Sequence, residues 1–253
     1  MHVLWLKLFY VVAIFIAGII GGRAPARSAG TPRSKKIISF GEAFSGGIFL
    51  GAGLLHLLPD SIDNFGKFAG HIDFPIATLV AGAGLLLILL FDQLAHAKPD
   101  ASSESDGYPI LLFLVLSIHS IIAGAALGLE GAGAASTAIF VAIIAHKSSA
   151  GFALGIALVK GGVDSARQSR TIVMFAVMTP LGVALGTFLG SAFSGETDIV
   201  FEAVFDALAA GTFLYIAAFD ILPTAMAGAQ NKLSQWTLAG AGFAVMALIA
   251  VWA

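Results

Sequence analysis

The stretches His119-Ser-Ile-Ile-Ala-Gly-Ala-Ala-Leu-Gly128 and His146-Lys-Ser-Ser-Ala-Gly-Phe-Ala-Leu-Gly155 are near copies, identical at six of ten positions. Each lies in the middle of a long apolar run. An imidazole is costly there, because hydrocarbon solvates polar groups poorly. Two such histidines on neighbouring runs indicate a site at membrane depth rather than two unrelated polar residues.

The composition predicts that these runs are membrane-spanning helices. Of 253 residues, 58% are hydrophobic and only 11% are charged, which is unlike a soluble globular domain. The runs are too long and too continuously apolar for barrel strands, so backbone hydrogen bonding in lipid requires helices. We therefore expect an all-α, polytopic protein with the lipid bilayer as partner. No basic block is suited to nucleic acid, and no cysteine is available as a thiolate ligand.

Eight apolar segments are long enough to cross ~30 Å of hydrocarbon at 1.5 Å per residue. They are predicted at residues 3–22, 39–60, 74–97, 109–130, 134–158, 170–194, 201–223 and 235–253. A short Gly/Ala connection at 131–134 separates the fourth and fifth segments, and we interpret it as a hairpin. The whole chain, 1–253, is interpreted as one transmembrane domain.

The distribution of Lys and Arg predicts the orientation. Ten basic residues lie in connections that follow odd-numbered spans: Arg23, Arg27, Arg33, Lys35, Lys36, Lys98, Lys160, Arg167, Arg170 and Lys232. Connections that follow even-numbered spans hold only Lys67. The odd connections are therefore predicted to be cytoplasmic, with both termini outside. His119 and His146 then lie near the midplane of two antiparallel spans, as an inverted repeat around helices 4 and 5.

Two imidazoles at one depth favour a transition-metal ion. Imidazole nitrogen suits Zn²⁺ and Fe²⁺, whereas Mg²⁺ and Ca²⁺ prefer oxygen ligands. Zinc usually takes four ligands, so hydroxyls such as that of Ser120, waters or backbone carbonyls must complete the shell. Such a shell binds weakly, which suits an ion that must also leave.

At this point the residues resemble the ZIP (Zrt/Irt-like) family of divalent metal transporters. The resemblance rests on the motifs His-Ser-x-x-x-Gly-x-x-x-Gly and His-Lys-x-x-x-Gly-x-x-x-Gly that begin at His119 and His146. Three further stretches agree: Gly47–Asp60, Pro180–Gly186 and Ala210–Pro223. It implies inward movement of zinc, or of iron or manganese, through a site between the fourth and fifth spans. Eight spans with both termini outside is also the family's layout.

Carrying the family's site over to this chain shows departures. The family often has a Glu four residues after each motif histidine, and here these positions are Ala123 and Ala150. Members with two metal sites have an Asp where Lys147 stands and a Glu where Thr179 stands. The resemblance therefore implies one site, with the Lys147 ammonium replacing a second metal cation. The alternative is a lysine that snorkels along a wet groove and only stabilises the fold.

His56 and Asp60 form a second candidate pair. They are four residues apart near the outer end of span two, so both face one side of a helix. The resemblance implies a relay there, because the corresponding positions line the family's outer gate. The alternative is an interfacial histidine that caps a helix end before Pro59.

Two other functions are open to the sequence. A membrane hydrolase would use a histidine-bound zinc to activate water, although no His-Glu-x-x-His helix or Gly-x-Ser-x-Gly turn is present. A non-transporting metal sensor is the other. For a transporter we expect the metal as cargo and no resident cofactor. A homodimer would bury glycine-rich faces, and the short loops favour a bacterial inner membrane as the location.

Overall fold

The structure, a computed structural model, describes residues 2–28, 34–70, 72–96, 107–131, 133–189, 196–227 and 231–251. These residues form α-helices and contain no strand. The helices are α1 (His2–Ser28), α2 (Ser34–Ala52), α3 (Leu58–Ala69), α4 (Ile76–His96), α5 (Gly107–Leu129), α6 (Ala134–Lys160), α7 (Ser165–Leu189), α8 (Glu196–Tyr215), α9 (Leu222–Ala227) and α10 (Lys232–Ala250). Since α2 continues into α3 and α8 continues into α9, the ten helices form eight continuous helical rods. Each rod is long and apolar enough to cross a membrane. The predicted all-α class and eight spans are confirmed.

The second rod is longer than the sequence indicated. A span was predicted over 39–60, whereas the rod is unbroken over Ser34–Ala69. One of the polar side chains in this extension has a partner on α8: the Ser61 hydroxyl donates to the Ala203 carbonyl at 2.7 Å. A hydropathy profile counts such residues without regard to the helix face that carries them. His56 therefore lies well inside its rod rather than near an end.

Two rods contain a wide π-helical turn, at Gly53–Leu57 and at Ile216–Ile221. In the first, the Leu58 N–H donates to the Gly53 carbonyl five residues back. Each turn stands just before a proline, Pro59 or Pro223. A proline ring clashes with the carbonyl four residues earlier in an α-helix, and the wider turn moves that carbonyl aside. The prolines therefore reshape their helices without ending them.

Four helix pairs pack with their backbones nearly touching: α5 with α7, α1 with α6, α2 with α10, and α4 with α8. Glycines make this possible, since a Cβ atom there would overlap the partner's backbone. One such glycine from each pair is Gly128, Gly155, Gly242 and Gly84. The motif glycines Gly128 and Gly155 therefore allow neighbouring helices to approach closely. Because these faces are used within the chain, they do not argue for a homodimer, which stays a prediction.

The rods form two groups that pack mainly among themselves. The histidine group contains α1, α5, α6 and α7; the flanking group contains α2–α4 and α8–α10. They meet in an apolar core that includes the fully buried side chains of Phe49, Leu154 and Phe213. This division places the two motif histidines in one group, beside the boundary with the other.

Candidate metal site

A cavity of about 310 Å³ enters the protein at the end where α3 ends and α8 begins. Both groups line it. The lining residues are His56, Leu57, Asp60, Asp63, Asn64, Lys67, His119, Ala123, Ala126, Ile139, Ile143, His146, Glu202 and Asp206. The apolar members come mainly from α5 and α6, and the acidic members come from α3 and α8. The cavity therefore leads from a carboxylate-rich mouth to three imidazoles.

His119 and His146 converge at the bottom of this cavity. The α5–α6 hairpin brings them together, and their Nε2 atoms lie 3.5 Å apart. Both side chains are buried. Two imidazole nitrogens bound to one tetrahedral zinc at 2.0–2.1 Å lie about 3.4 Å apart. The two rings are therefore spaced as ligands of a single ion, although two neutral imidazoles sharing one hydrogen bond fit the same distance.

His56 lies beside this pair, deeper than the sequence placed it. Its ring centroid is 6.5 Å from that of His146. Its Nδ1 is 2.8 Å from Asp60 Oδ2, one helical turn further along the rod. A carboxylate that accepts from Nδ1–H fixes the tautomer in which Nε2 is free to bind a metal. The Nε2 atom of His56 is thus oriented and lies next to the histidine pair. A histidine that only capped a helix end would not be placed in this way.

Lys147 points away from the cavity, into a pocket between α5 and α7. Its Nζ donates to Ser120 Oγ at 2.8 Å and to the Phe175 carbonyl at 3.2 Å, and it lies 3.6 Å from the centre of the Phe175 ring. Only 2% of the residue is exposed. Gly18 on α1 leaves room for the lysine, since a Cβ there would lie 3.3 Å from its Cε. The partners of the ammonium are thus a serine hydroxyl and a backbone carbonyl.

Ser120 is therefore engaged by Lys147 and is not among the residues that line the cavity. Successive residues of an α-helix point about 100° apart, so a serine next to His119 faces a different neighbour. The structure does not bring Ser120 to the histidine pair, and the hydroxyl predicted as a ligand has another partner.

The two alanines that stand where the family often has glutamate differ in their surroundings. Ala123 lines the cavity, whereas Ala150 is buried in the apolar core. Within the described residues, no group of three or more His, Asp or Glu side chains is close enough to hold one ion. The pair of imidazoles would therefore supply two protein ligands, and water would have to supply further ones.

Phe213 closes the cavity on the side of the histidines that faces away from the mouth. Its ring meets those of His119 and His146 edge-on, with centroids 4.9 and 6.0 Å away. Phe49 packs against its other side at 4.7 Å. Both phenylalanines are fully buried. The apolar core thus separates the histidine pair from the opposite end of the protein.

The sequence reasoning missed two carboxylates of the cavity, Glu202 and Asp206. They are four residues apart on α8 and face the same side. Their spacing was the available signal. Both carboxylates lie within the span predicted over 201–223, and α8 begins still earlier, at Glu196.

Comparison with known proteins shows similarity along nearly the whole chain. Residues 4–109 and 97–250 match the family model described as ZIP Zinc transporter. The zinc transporter ZIP2 of Mus musculus is 31% identical, with 89% of each chain covered. ZIP2 of Homo sapiens is 30% identical, over 83% of this chain and 84% of that protein. ZIP1 of Danio rerio is 27% identical, over 98% of each.

Proposed function

Because this chain belongs to the ZIP zinc transporter family, we propose that it carries zinc across the membrane into the cytoplasm. The protein is a multi-pass membrane protein of a transporter family, not an enzyme, so the hydrolase alternative is excluded. Iron and manganese are secondary cargoes in this proposal. The metal is substrate, and no resident cofactor is required.

The observation that carries the proposal is the 3.5 Å separation of the His119 and His146 Nε2 atoms at the bottom of the cavity. Nitrogen ligands favour zinc and its neighbours over Mg²⁺ and Ca²⁺. Two protein ligands with water in the remaining positions hold an ion loosely. For a carrier this is an advantage, since tight binding would prevent release.

The mouth of the cavity supports a route to that pair. The carboxylates of Asp60, Asp63, Glu202 and Asp206 line it and outnumber the one lysine there, Lys67, and a predominantly negative cleft concentrates cations. His56 stands between this mouth and His146. A zinc ion would exchange water for carboxylates first and for imidazoles afterwards.

The direction of transport is proposed from the basic residues. Arg23, Arg27, Lys160, Arg167 and Lys232 lie at helix ends on the side opposite the cavity mouth. Arg33 and Lys98 lie outside the described residues. Because basic connections favour the cytoplasm, the mouth would face outward and both termini would be outside.

The mechanism follows from the two groups of rods. The cavity is open at its mouth, while Phe213 and the core close the opposite end. Release to the cytoplasm therefore requires movement of the histidine group relative to the flanking group, as expected for alternating access.

Replacing Lys147 with methionine is expected to lower the zinc concentration that half-saturates uptake by about tenfold. Exchanging a buried charge for an apolar side chain of similar volume is often neutral for stability. The exchange removes a positive charge on the residue that follows His146. At an effective dielectric constant of about 20, a unit charge about 10 Å from a divalent ion repels it by about 3 kcal/mol, more than a tenfold change requires. Concentration-dependent uptake into liposomes measures the effect.

The matched control for this change is Lys7→Met. Lys7 also belongs to the histidine group, but it contacts the Gly128 carbonyl at 2.5 Å, about 13 Å along α5 from His119. We expect its loss to leave half-saturation unchanged. If Lys147→Met has no effect, or raises the half-saturating concentration, the lysine does not act as a substitute cation.

Uptake of radioactive zinc by the purified protein in liposomes tests the function itself. We expect protein-dependent accumulation that follows the zinc gradient, with competition by unlabelled iron or manganese at higher concentrations. A protein that binds zinc but moves none would be the metal sensor instead. Proteoliposomes of known orientation would also show whether the cavity side is the side of uptake.

The cell membrane is the proposed location, and the chain is proposed to act as a single transmembrane domain. The relatives named above are vertebrate proteins. They give no support to the expectation of a bacterial inner membrane.

A further inference from the structure

Glu42 and Lys160 form an ion pair at the end of the protein opposite the cavity. The Lys160 Nζ is 2.7 Å from Glu42 Oε1. The carboxylate is buried, with 7% of the side chain exposed, whereas the lysine side chain is half exposed. Lys160 is the last residue of α6, and Glu42 lies eight residues into α2. The pair therefore joins the histidine group to the flanking group.

This connection differs from the other polar contacts between helices. Twelve side-chain hydrogen bonds between described residues of different helices each stay within one group. In the histidine group they join α1 to α5, α6 and α7, α5 to α6 and α7, and α6 to α7. In the flanking group they join α2 to α9 and α10, α3 to α8, and α4 to α8. Elsewhere along the boundary the described residues of the two groups meet through apolar and ring contacts, such as those of Phe213 with both motif histidines.

The two kinds of contact respond differently to movement. Apolar side chains can exchange partners as one group shifts, because dispersion and burial are not directional. A buried carboxylate that loses its partner stays as an uncompensated charge until water reaches it. Separation of Glu42 from Lys160 therefore costs more than sliding elsewhere along the boundary.

We propose that the Glu42–Lys160 pair is a latch that holds the inner end closed while the outer cavity is open. Opening of the inner end requires the two side chains to separate and water to enter beside Glu42. The proposal rests on the proposed function only for the identity of what passes through the opening.

The absence of cysteine in the chain permits a direct test. Ala157→Cys introduces one thiol, one turn before Lys160, at a buried position of the core between the groups. In the purified, metal-free protein this thiol should react slowly with a water-soluble maleimide. Adding Lys160→Gln should raise the labelling rate about tenfold, because the closed state loses the ion pair.

Three further variants distinguish a latch from general loosening. Lys160→Arg keeps the ion pair and should label as slowly as the parent. Arg167→Gln removes a charge at the same end, but its partner Asp164 is exposed and lies in the α6–α7 connection, so the rate should not change. Glu42→Gln combined with Lys160→Gln should label no faster than the faster single variant, since only one interaction is lost.

Equal labelling in Lys160→Gln and the parent would overturn the latch. An equal increase of the labelling rate in Arg167→Gln would also overturn it. The same holds if the double variant labels at a rate raised by the product of the two single-variant factors. Gel filtration and thermal unfolding identify any variant that does not fold, and the half-exposed Lys160 position keeps the test available if Glu42→Gln fails. Labelling needs no zinc, so failure of uptake would reject the proposed function and leave this result readable.

Discussion

Replacing either His119 or His146 with alanine is expected to reduce zinc uptake in liposomes to the level seen without protein. The two Nε2 atoms are 3.5 Å apart, and each variant leaves one imidazole where two converged. Loss of groups that merely orient a metal ligand costs 10–100-fold in affinity, so loss of a ligand should cost at least about 100-fold. Initial uptake rates at several zinc concentrations measure this.

Ser117→Ala is the matched control for these variants. Ser117 is a buried polar residue on the same helix as His119, and its hydroxyl has no hydrogen-bond partner among the described residues. Its removal should leave both expression and uptake unchanged. If the histidine variants fold and still carry zinc at the parent rate, the ion takes another path.

Replacing Ala123 with glutamate is expected to tighten zinc binding by about 100-fold and to slow turnover. Ala123 lines the cavity one helical turn after His119, so a carboxylate there can reach the same ion as the imidazoles. A third protein ligand completes the donor set usual for an accessible zinc site. Equilibrium dialysis gives the affinity, and the maximal uptake rate should fall because release becomes slower.

Ala150→Glu provides the contrast, although the two alanines occupy equivalent positions in the repeated motif. Ala150 is 3% exposed within the apolar core. A glutamate there places a charge without a partner among apolar side chains, so we expect loss of folded protein rather than tighter binding. Thermal unfolding and zinc affinity of both variants separate the two positions. Similar tightening by both would show that the core of α6 opens to the metal.

Much of the fold was predictable because insertion of a segment into a membrane depends on the summed hydropathy of its own residues. Each apolar run must become a helix in lipid, whatever its neighbours are. The eight rods and the hairpin before Ala134 follow from this rule and are confirmed. The family was also predictable, since its motifs are local and survive in order along the chain.

The second rod shows where summed hydropathy gives the wrong end for a helix. Its polar residues beyond Asp60 lower the hydropathy of the segment, yet several face α8 or the cavity, and the helix continues. A profile along the chain does not know which face a residue occupies. That error placed His56 near the membrane surface, whereas it lies beside His146.

The sequence by itself determined that the chain forms eight apolar helices and that two equivalent histidines lie at similar depth in adjacent, antiparallel spans. Only the tertiary structure decided which side chains meet. It pairs Ser120 with Lys147, puts Ala123 in the cavity and Ala150 in the core, and joins Glu42 to Lys160. The physical reason is that transfer into lipid depends on composition over one helix length. Contacts between side chains depend instead on how each helix is rotated against its neighbours. Close packing at the glycines sets that rotation when the helices associate, and it is not visible in the composition of a single helix.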